Sequence, residues 1–301
     1  MYAGVWMKKS TKSKIEFFFF KVFINIFKYF PYKFTRSFLG RLFVFGTRVL
    51  DIRNSLAKKQ LKMVFPDKTE KEINSIIKKM YYHMGLTTAE SYFGDKEKLF
   101  ETCKLQGWEN LNDAVEKKKG VILVTGHFGN WELAGKYIAA HFDMAVVGKR
   151  QRNRYFDDYT NALRLKDKVI VINKKNALRP ILKMLGEGYI VSLLMDQNAG
   201  RNGVLTDFLG HEASTFVGAA KIAIKTGCPI APAFAIREDD GSHLFICEEI
   251  ISPEGFKNNL EDLTKFTEMI SKRIEKYIYQ YPHLWFWVHK RWKGHKKARK
   301  I

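Results

Sequence analysis

The segment His127-Phe128-Gly129-Asn130-Trp131-Glu132 carries the residue types and spacing best suited to moving a proton. It follows the apolar run 121–125 and Gly126, and it opens a helical pattern at Leu133. A histidine at a strand-to-helix turn is held out by the backbone, and Gly126 and Gly129 give that backbone room to turn and to approach a ligand closely. Glu132, in the first helical turn, can fold back on the imidazole, orient it and raise its basicity. An imidazole held in this way can take a proton from a hydroxyl. A purely structural hydrogen bond at the turn is the competing role that these two residues alone leave open.

What the chain lacks narrows the chemistry. There is no G-x-S-x-G elbow for a serine nucleophile and no G-x-x-x-x-G-K-[ST] phosphate loop. His127 and His141 are too far apart for H-E-x-x-H, and Cys103, Cys228 and Cys247 are scattered, without a C-x-x-C. No metal site is therefore expected. A disulfide framework is also not expected, and the cysteines fit a reducing compartment. A base without a nucleophile of its own suggests that the attacking hydroxyl belongs to the substrate. Direct acyl transfer from a thioester then needs this base and an oxyanion stabiliser. Helix-start amides near Gly129 and Asn130, or a basic side chain from another loop, could supply the second.

Strand patterns at 121–125, 145–148, 169–172, 190–195, 230–236 and 244–251 must position these groups, with helices fitting between them at 131–141, 157–165, 177–187 and 216–226. The alternation, with Val/Ile-rich strands, predicts an α/β fold with a mostly parallel central sheet flanked by helices. The last two strands read as a hairpin across Asp239-Asp240-Gly241-Ser242, and a long helix, 260–279, closes the domain. Residues 51–106 read as a helical lead-in to a catalytic domain spanning 51–293, and 294–301 as a basic tail.

The 301 residues carry 52 Lys+Arg against 31 Asp+Glu, a formal net charge of +21. Such a balance implies an anionic partner: nucleic acid, an acidic membrane surface, a phosphorylated substrate or an acidic protein. Hydrophobic content of 46% excludes a disordered chain. Residues 1–50 are basic and Phe-rich, with Lys8, Lys9, Lys12 and Lys14 ahead of the run 17–30. No small-residue cleavage site follows, and Lys21, Asn25 and Lys28 interrupt the run. Lys14, Lys21, Asn25 and Lys28 share one helical stripe, which predicts an amphipathic helix lying on a membrane with its lysines toward headgroups. Packing on the chain's own domain, or a spanning signal anchor, are the alternatives.

The segment Gly126–Glu132 resembles the H-x4-[DE] signature of the lipid A biosynthesis (lauroyl/myristoyl) acyltransferase family, which also contains phosphatidylinositol mannoside acyltransferases. Four further blocks agree in order. Residues 195–204 resemble the family's D-Q-x5-G-V block, and 208–215 its F-F-G-x2-A-x-T segment. Residues 223–230 resemble its helix-Gly-strand, and 282–292 its C-terminal aromatic-basic signature. The resemblance implies a glycerolipid-acyltransferase-like fold, with His127 as general base and Glu132 as its partner. It also implies that Arg150 and Arg164 touch acceptor phosphate or oxyanion, although Gln151 stands where proline is usual and no glycine follows Arg164. Asn130, Asp196 and Gln197 complete the expected substrate contacts, the last two at the strand edge where ligands gather in α/β folds. A turn cap is the alternative role for Asp196.

The implied co-substrate is an acyl chain on acyl carrier protein or CoA, with no bound cofactor. The acceptor is an anionic glycolipid, and the place of work is the cytoplasmic face of a bacterial inner membrane. Two other functions compete: a basic nucleic-acid-binding protein, which leaves the Phe-rich start unexplained, and an inactive lipid-binding relative. With acyl transfer as the leading function, no nucleic-acid partner is expected.

Overall fold

Each strand expected from the apolar runs forms, and the buried ones are covered on both faces. The computed structural model describes residues 3–293, with side chains from residue 11 onward except at residue 48. The expectations for Lys8, Lys9 and the tail 294–301 fall outside the described side chains and residues. The chain begins with helices α1 (Ala3–Phe27), α2 (Tyr32–Leu50), α3 (Asn54–Val64), α4 (Glu70–Phe93) and α5 (Lys96–Glu101). Then come β1 (Cys103–Gln106), α6 (Trp108–Glu116), β2 (Val121–Thr125), α7 (Trp131–His141), β3 (Met144–Gly148), α8 (Arg154–Lys166) and β4 (Val169–Asn173). Next are α9 (Leu178–Gly186), β5 (Ile190–Leu194), β6 (Val204–Phe208), β7 (His211–Thr215) and α10 (Gly218–Thr226). The chain continues through β8 (Ile230–Arg237), β9 (His243–Cys247) and α11 (Leu260–Gln280).

The central sheet has the order β1-β9-β8-β2-β5-β3-β4. Strands β8, β2, β5, β3 and β4 are parallel, so their C-terminal ends share one edge, and β9 returns antiparallel as the expected hairpin partner of β8. All five residues of β2 are buried, as a strand between two helical layers requires. Ile122 and Val124 join a core with α9, α10 and α11, whereas Val121 and Leu123 face α6 and α7.

Strand β1 and the β6–β7 hairpin were not expected from the sequence pattern. Strand β1 is largely exposed, has no apolar run and joins the sheet only by pairing parallel with β9. The β6–β7 turn, Leu209-Gly210, has positive φ at both residues but lacks the Asn-Gly signal of a two-residue hairpin.

Helix α1 corrects the expected lysine stripe. Phe17, Phe20, Ile24 and Phe27 turn inward at helical spacing; the Phe20 ring lies 4.6 Å from that of Phe156 on α8. Lys21 turns with them, its ammonium 4.6 Å from the centre of the Tyr159 ring, while Lys14, Asn25 and Lys28 stay exposed. The aromatic face of α8 offers the lysine a cation–π partner, and the helical stripe could not foresee it. Beside Lys14, Asn25 and Lys28, the outward surface also carries apolar side chains: Ile15, Phe18, Phe19, Val22 and Ile26 on α1, continued by Phe34, Phe38, Leu42, Phe45 and Val49 on α2. No helix among the described residues is long and apolar enough to cross a membrane.

Candidate active site

His127 lies two residues beyond the end of β2, and Asp196 two residues beyond the end of β5. The parallel register pairs Thr125 with Leu194, so the two side chains emerge as neighbours at the C-terminal edge of the sheet. Adjacent strands run about 4.8 Å apart, which brings side chains at matched positions within hydrogen-bonding reach. The Asp196 carboxylate accepts from the His127 backbone N–H (2.8 Å) and from the Trp285 indole N–H (2.8 Å) through Oδ2, and its Oδ1 lies 2.9 Å from His127 Nδ1. Any side chain at Gly126 would crowd this carboxylate. Gly129, at φ +57°, must also be glycine, because a Cβ there would overlap the Ala235 carbonyl oxygen.

This geometry selects a tautomer. With the carboxylate accepting, Nδ1 carries the proton and Nε2 keeps its lone pair, toward which the Gln197 amide nitrogen points at 3.3 Å. Burial pulls the His127 pKa down, but the charge and hydrogen bond of Asp196, with a smaller contribution from Glu132, outweigh it and leave the imidazole above its ordinary value. Burial pushes the Asp196 carboxyl up, and His127 and the donated hydrogen bonds more than reverse this, so it stays ionised. A basic Nε2 beside a cavity can accept a proton from a bound hydroxyl and later return it to a leaving group.

Glu132 is not the group that orients the imidazole. Its carboxylate takes both arms of the Arg164 guanidinium, Nε at 3.1 Å and Nη2 closer still, an arrangement that satisfies both planar groups at once. It remains close enough to act on His127 through charge. Arg164 therefore does reach the site, by way of Glu132. Arg150 lies at the rim, 57% exposed and 3.6 Å from Asp157.

Asn130 departs from its expected role as a substrate contact. It is 1% exposed; its Oδ1 caps α7 by accepting from the Leu133 N–H (3.0 Å), and its Nδ2 donates to Glu90 (2.6 Å). Glu90 also receives Arg36, Arg237 and His243, so a buried charge network fixes the start of α7. Burial raises the Glu90 carboxyl, but His243 and Arg237 hold it far below its usual range.

Trp285 and Glu90 were missed as site residues. Trp285 sits within the aromatic-basic segment noted in the sequence, but its bond to Asp196 spans 89 positions and has no local signal. That segment lies directly over the motif: Phe286 N–H donates to the His127 carbonyl (3.2 Å) and Gly129 N–H to that of Leu284 (2.9 Å).

Two cavities meet at His127. One, of about 460 Å³, runs between the sheet and α6–α8, lined by apolar groups such as Trp108, Leu111, Ile138 and Met144, and also by Gln197, Lys149 and Lys174. The other, of about 260 Å³, lies against α2 and α4, lined among others by Phe43, Met84, Tyr92 and His283. His127, Trp131, Glu132 and Arg164 border both.

The family match makes this α/β protein an enzyme of the acyltransferase class. The family model for bacterial lipid A biosynthesis acyltransferases matches residues 7–294, and the chain belongs to that family. Among similar proteins, the lipid A biosynthesis palmitoleoyltransferase of Escherichia coli is 26% identical over 264 residues, covering 85% of this chain and 84% of that one. The lauroyltransferase of the same organism is 24% identical over 260 residues, 85% and 83% of the two chains. A phosphatidylinositol mannoside acyltransferase of Mycolicibacterium smegmatis is 24% identical over 203 residues, 66% and 65%. A crystal structure of the 1-acyl-sn-glycerophosphate acyltransferase PlsC from Thermotoga maritima aligns at 16% identity and a TM-score of 0.41, over 85% of this chain and 100% of that one. That likeness is too distant to bear on the assignment.

Proposed function

We propose that this enzyme moves a fatty acyl chain from an acyl thioester, on acyl carrier protein or CoA, to a hydroxyl of a lipid A-type phosphorylated glycolipid. The observation that carries this is the position of His127 in the walls of both cavities: the larger, mostly apolar one suits an acyl chain, and the smaller one the acceptor. In the reaction, Nε2 of His127 takes the proton of the acceptor hydroxyl as its oxygen attacks the thioester carbonyl. The tetrahedral intermediate collapses, the C–S bond breaks, and the imidazolium gives its proton to the departing sulfur. Asp196 holds the required tautomer and stabilises the imidazolium. The Glu132–Arg164 pair places a cation beside the reacting centre without competing for the imidazole.

The enzyme works at a membrane surface, on the cytoplasmic face of a bacterial inner membrane. The exposed apolar rows of α1 and α2 support this, because their Phe-rich face suits burial at a lipid interface. Phe43 of α2 borders the acceptor cavity, which favours entry of the acceptor from that side. Deleting the gene in its source bacterium should leave the glycolipid short of one acyl chain by mass spectrometry. Wild-type protein should restore that chain and His127→Ala should not; restoration by His127→Ala would reject the role of the base.

A further inference from the structure

A pair of lysines that the acyl-transfer steps do not use borders the larger cavity. Lys149 directly follows β3 and Lys174 directly follows β4, and both line the cavity. The register pairs Gly148 with Asn173, so the lysines face each other just past the last rung, and Lys174 N–H donates to the Gly148 carbonyl at 2.7 Å. The Lys174 ammonium sits 3.7 Å from the centre of the Phe216 ring, which also lines the cavity. Burial of that ammonium, and then the charge of Lys149, depress its pKa, although the residue as a whole remains exposed. The carboxylates bordering this cavity, Glu132 and Asp157, are engaged by Arg164 and Arg150. Two ammonium groups with no carboxylate of their own make a site for an anion.

Distance identifies the anion. From β2 to β3 is two strand spacings and to β4 three, which puts the lysines about 10 and 14 Å along the sheet edge from His127. A phosphopantetheine arm has roughly thirteen bonds between phosphorus and sulfur, about 16 Å when extended. We propose that Lys149 and Lys174 bind the phosphate of a phosphopantetheine thioester, laying the arm across the ends of β3 and β5 with its thioester at His127. This rests on the assignment of a thioester donor and adds the place where the donor is held. Carrier protein and CoA both present this phosphate.

The test compares kcat/KM for acyl-phosphopantetheine and for acyl-pantetheine, which lacks the phosphate, in wild-type, Lys174→Gln, Lys149→Gln and Lys174→Arg proteins. The ratio of phosphorylated to unphosphorylated donor should fall about ten-fold or more in each Gln variant and be retained in Lys174→Arg. Titration with phosphopantetheine itself gives the same comparison without turnover. Acyl-CoA and acyl-carrier protein should both weaken. An unchanged ratio in active protein overturns the proposal, as does a loss confined to the carrier protein, which would assign the lysines to its acidic surface. If the wild-type enzyme uses no thioester at all, the donor assignment fails and takes the phosphate site with it.

Discussion

Replacing Asp196 with asparagine removes one charge and almost no volume, and the surrounding hydrogen bonds dictate the consequence. Oδ2 accepts from two fixed donors, the His127 backbone N–H and the Trp285 indole, while Oδ1 faces His127 Nδ1. An asparagine has one accepting oxygen. If it faces the two fixed donors, its NH2 group faces Nδ1, which must then accept. The imidazole proton moves to Nε2, and the base is lost. If the amide flips, Nδ1–H is kept but two buried donors face an NH2 group, at a cost of about 1–3 kcal/mol each. That is about 2–6 kcal/mol, or roughly 30-fold to 10⁴-fold in the active population. Either way the rate of acyl transfer should fall by about 30-fold to 10⁴-fold with the fold intact. Initial rates of thiol release coupled to acylated product measure the loss, and imidazole ¹⁵N shifts report the tautomer. Activity within a factor of three of wild type, with an unchanged tautomer, would rule out this role for Asp196.

The same structure sets four other outcomes. The raised His127 pKa places the acid limb of the kcat/KM profile above the ordinary histidine value of about 6.5, since the base must be neutral; Asp196→Asn should move any residual limb down. By linkage, the stabilisation carried by the raised His127 pKa is complete below its unfolded-state value and declines as pH rises through the folded one, so melting temperature measured across this range should lose this contribution on the alkaline side. Gly129→Ala meets both a positive φ and the Ala235 carbonyl, and should cost about 2 kcal/mol or more in denaturant unfolding, or prevent folding. At Gly135, which lines the larger cavity, a Cβ would find only the Met144 methyl within 4 Å, at 3.9 Å. Gly135→Leu should therefore fold and shift the preferred acyl chain shorter by about four carbons, the volume it introduces; a uniform loss across chain lengths would place the acyl chain elsewhere.

The exposed apolar rows of α1 and α2 yield a related expectation. Phe18 and Phe19 are 62% and 65% exposed, and changing both to Ser should weaken binding to anionic vesicles about ten-fold or more without altering the melting temperature. Sedimentation with vesicles measures it, and unchanged binding would remove α1 from the interface.

The parts of the site written locally were legible in the chain. His127 sits between glycines at a strand-to-helix turn, and the alternating apolar runs predicted the parallel sheet beneath it. What could not be read was adjacency. The sequence shows strands at 121–125 and 190–195, but that they pair, and in the register that brings His127 to Asp196, is set by packing across the whole sheet. Glu132, close in sequence, was the obvious partner for the imidazole; it turns instead to Arg164, whose planar fork matches both its oxygens. Asn130 has the character of a polar active-site residue, yet a helix cap and a buried carboxylate from α4 claim both ends of its amide. Lys21 fitted a solvated stripe until the aromatic face of α8 provided an inward partner. In each case a long-range contact overrode a sound local pattern.

Activation of a substrate hydroxyl by His127, for direct acyl transfer, is the step on which the proposed function stands. It is tested most directly by incubating purified wild-type and His127→Ala proteins with an acyl thioester and a lipid A-type acceptor, following free thiol and product mass together. The wild-type enzyme should add one acyl chain per thiol released, and a folded His127→Ala protein should be slower by at least about 10²-fold. Equal rates of acylated product from the two proteins, or thiol release without acylated glycolipid, would contradict that role.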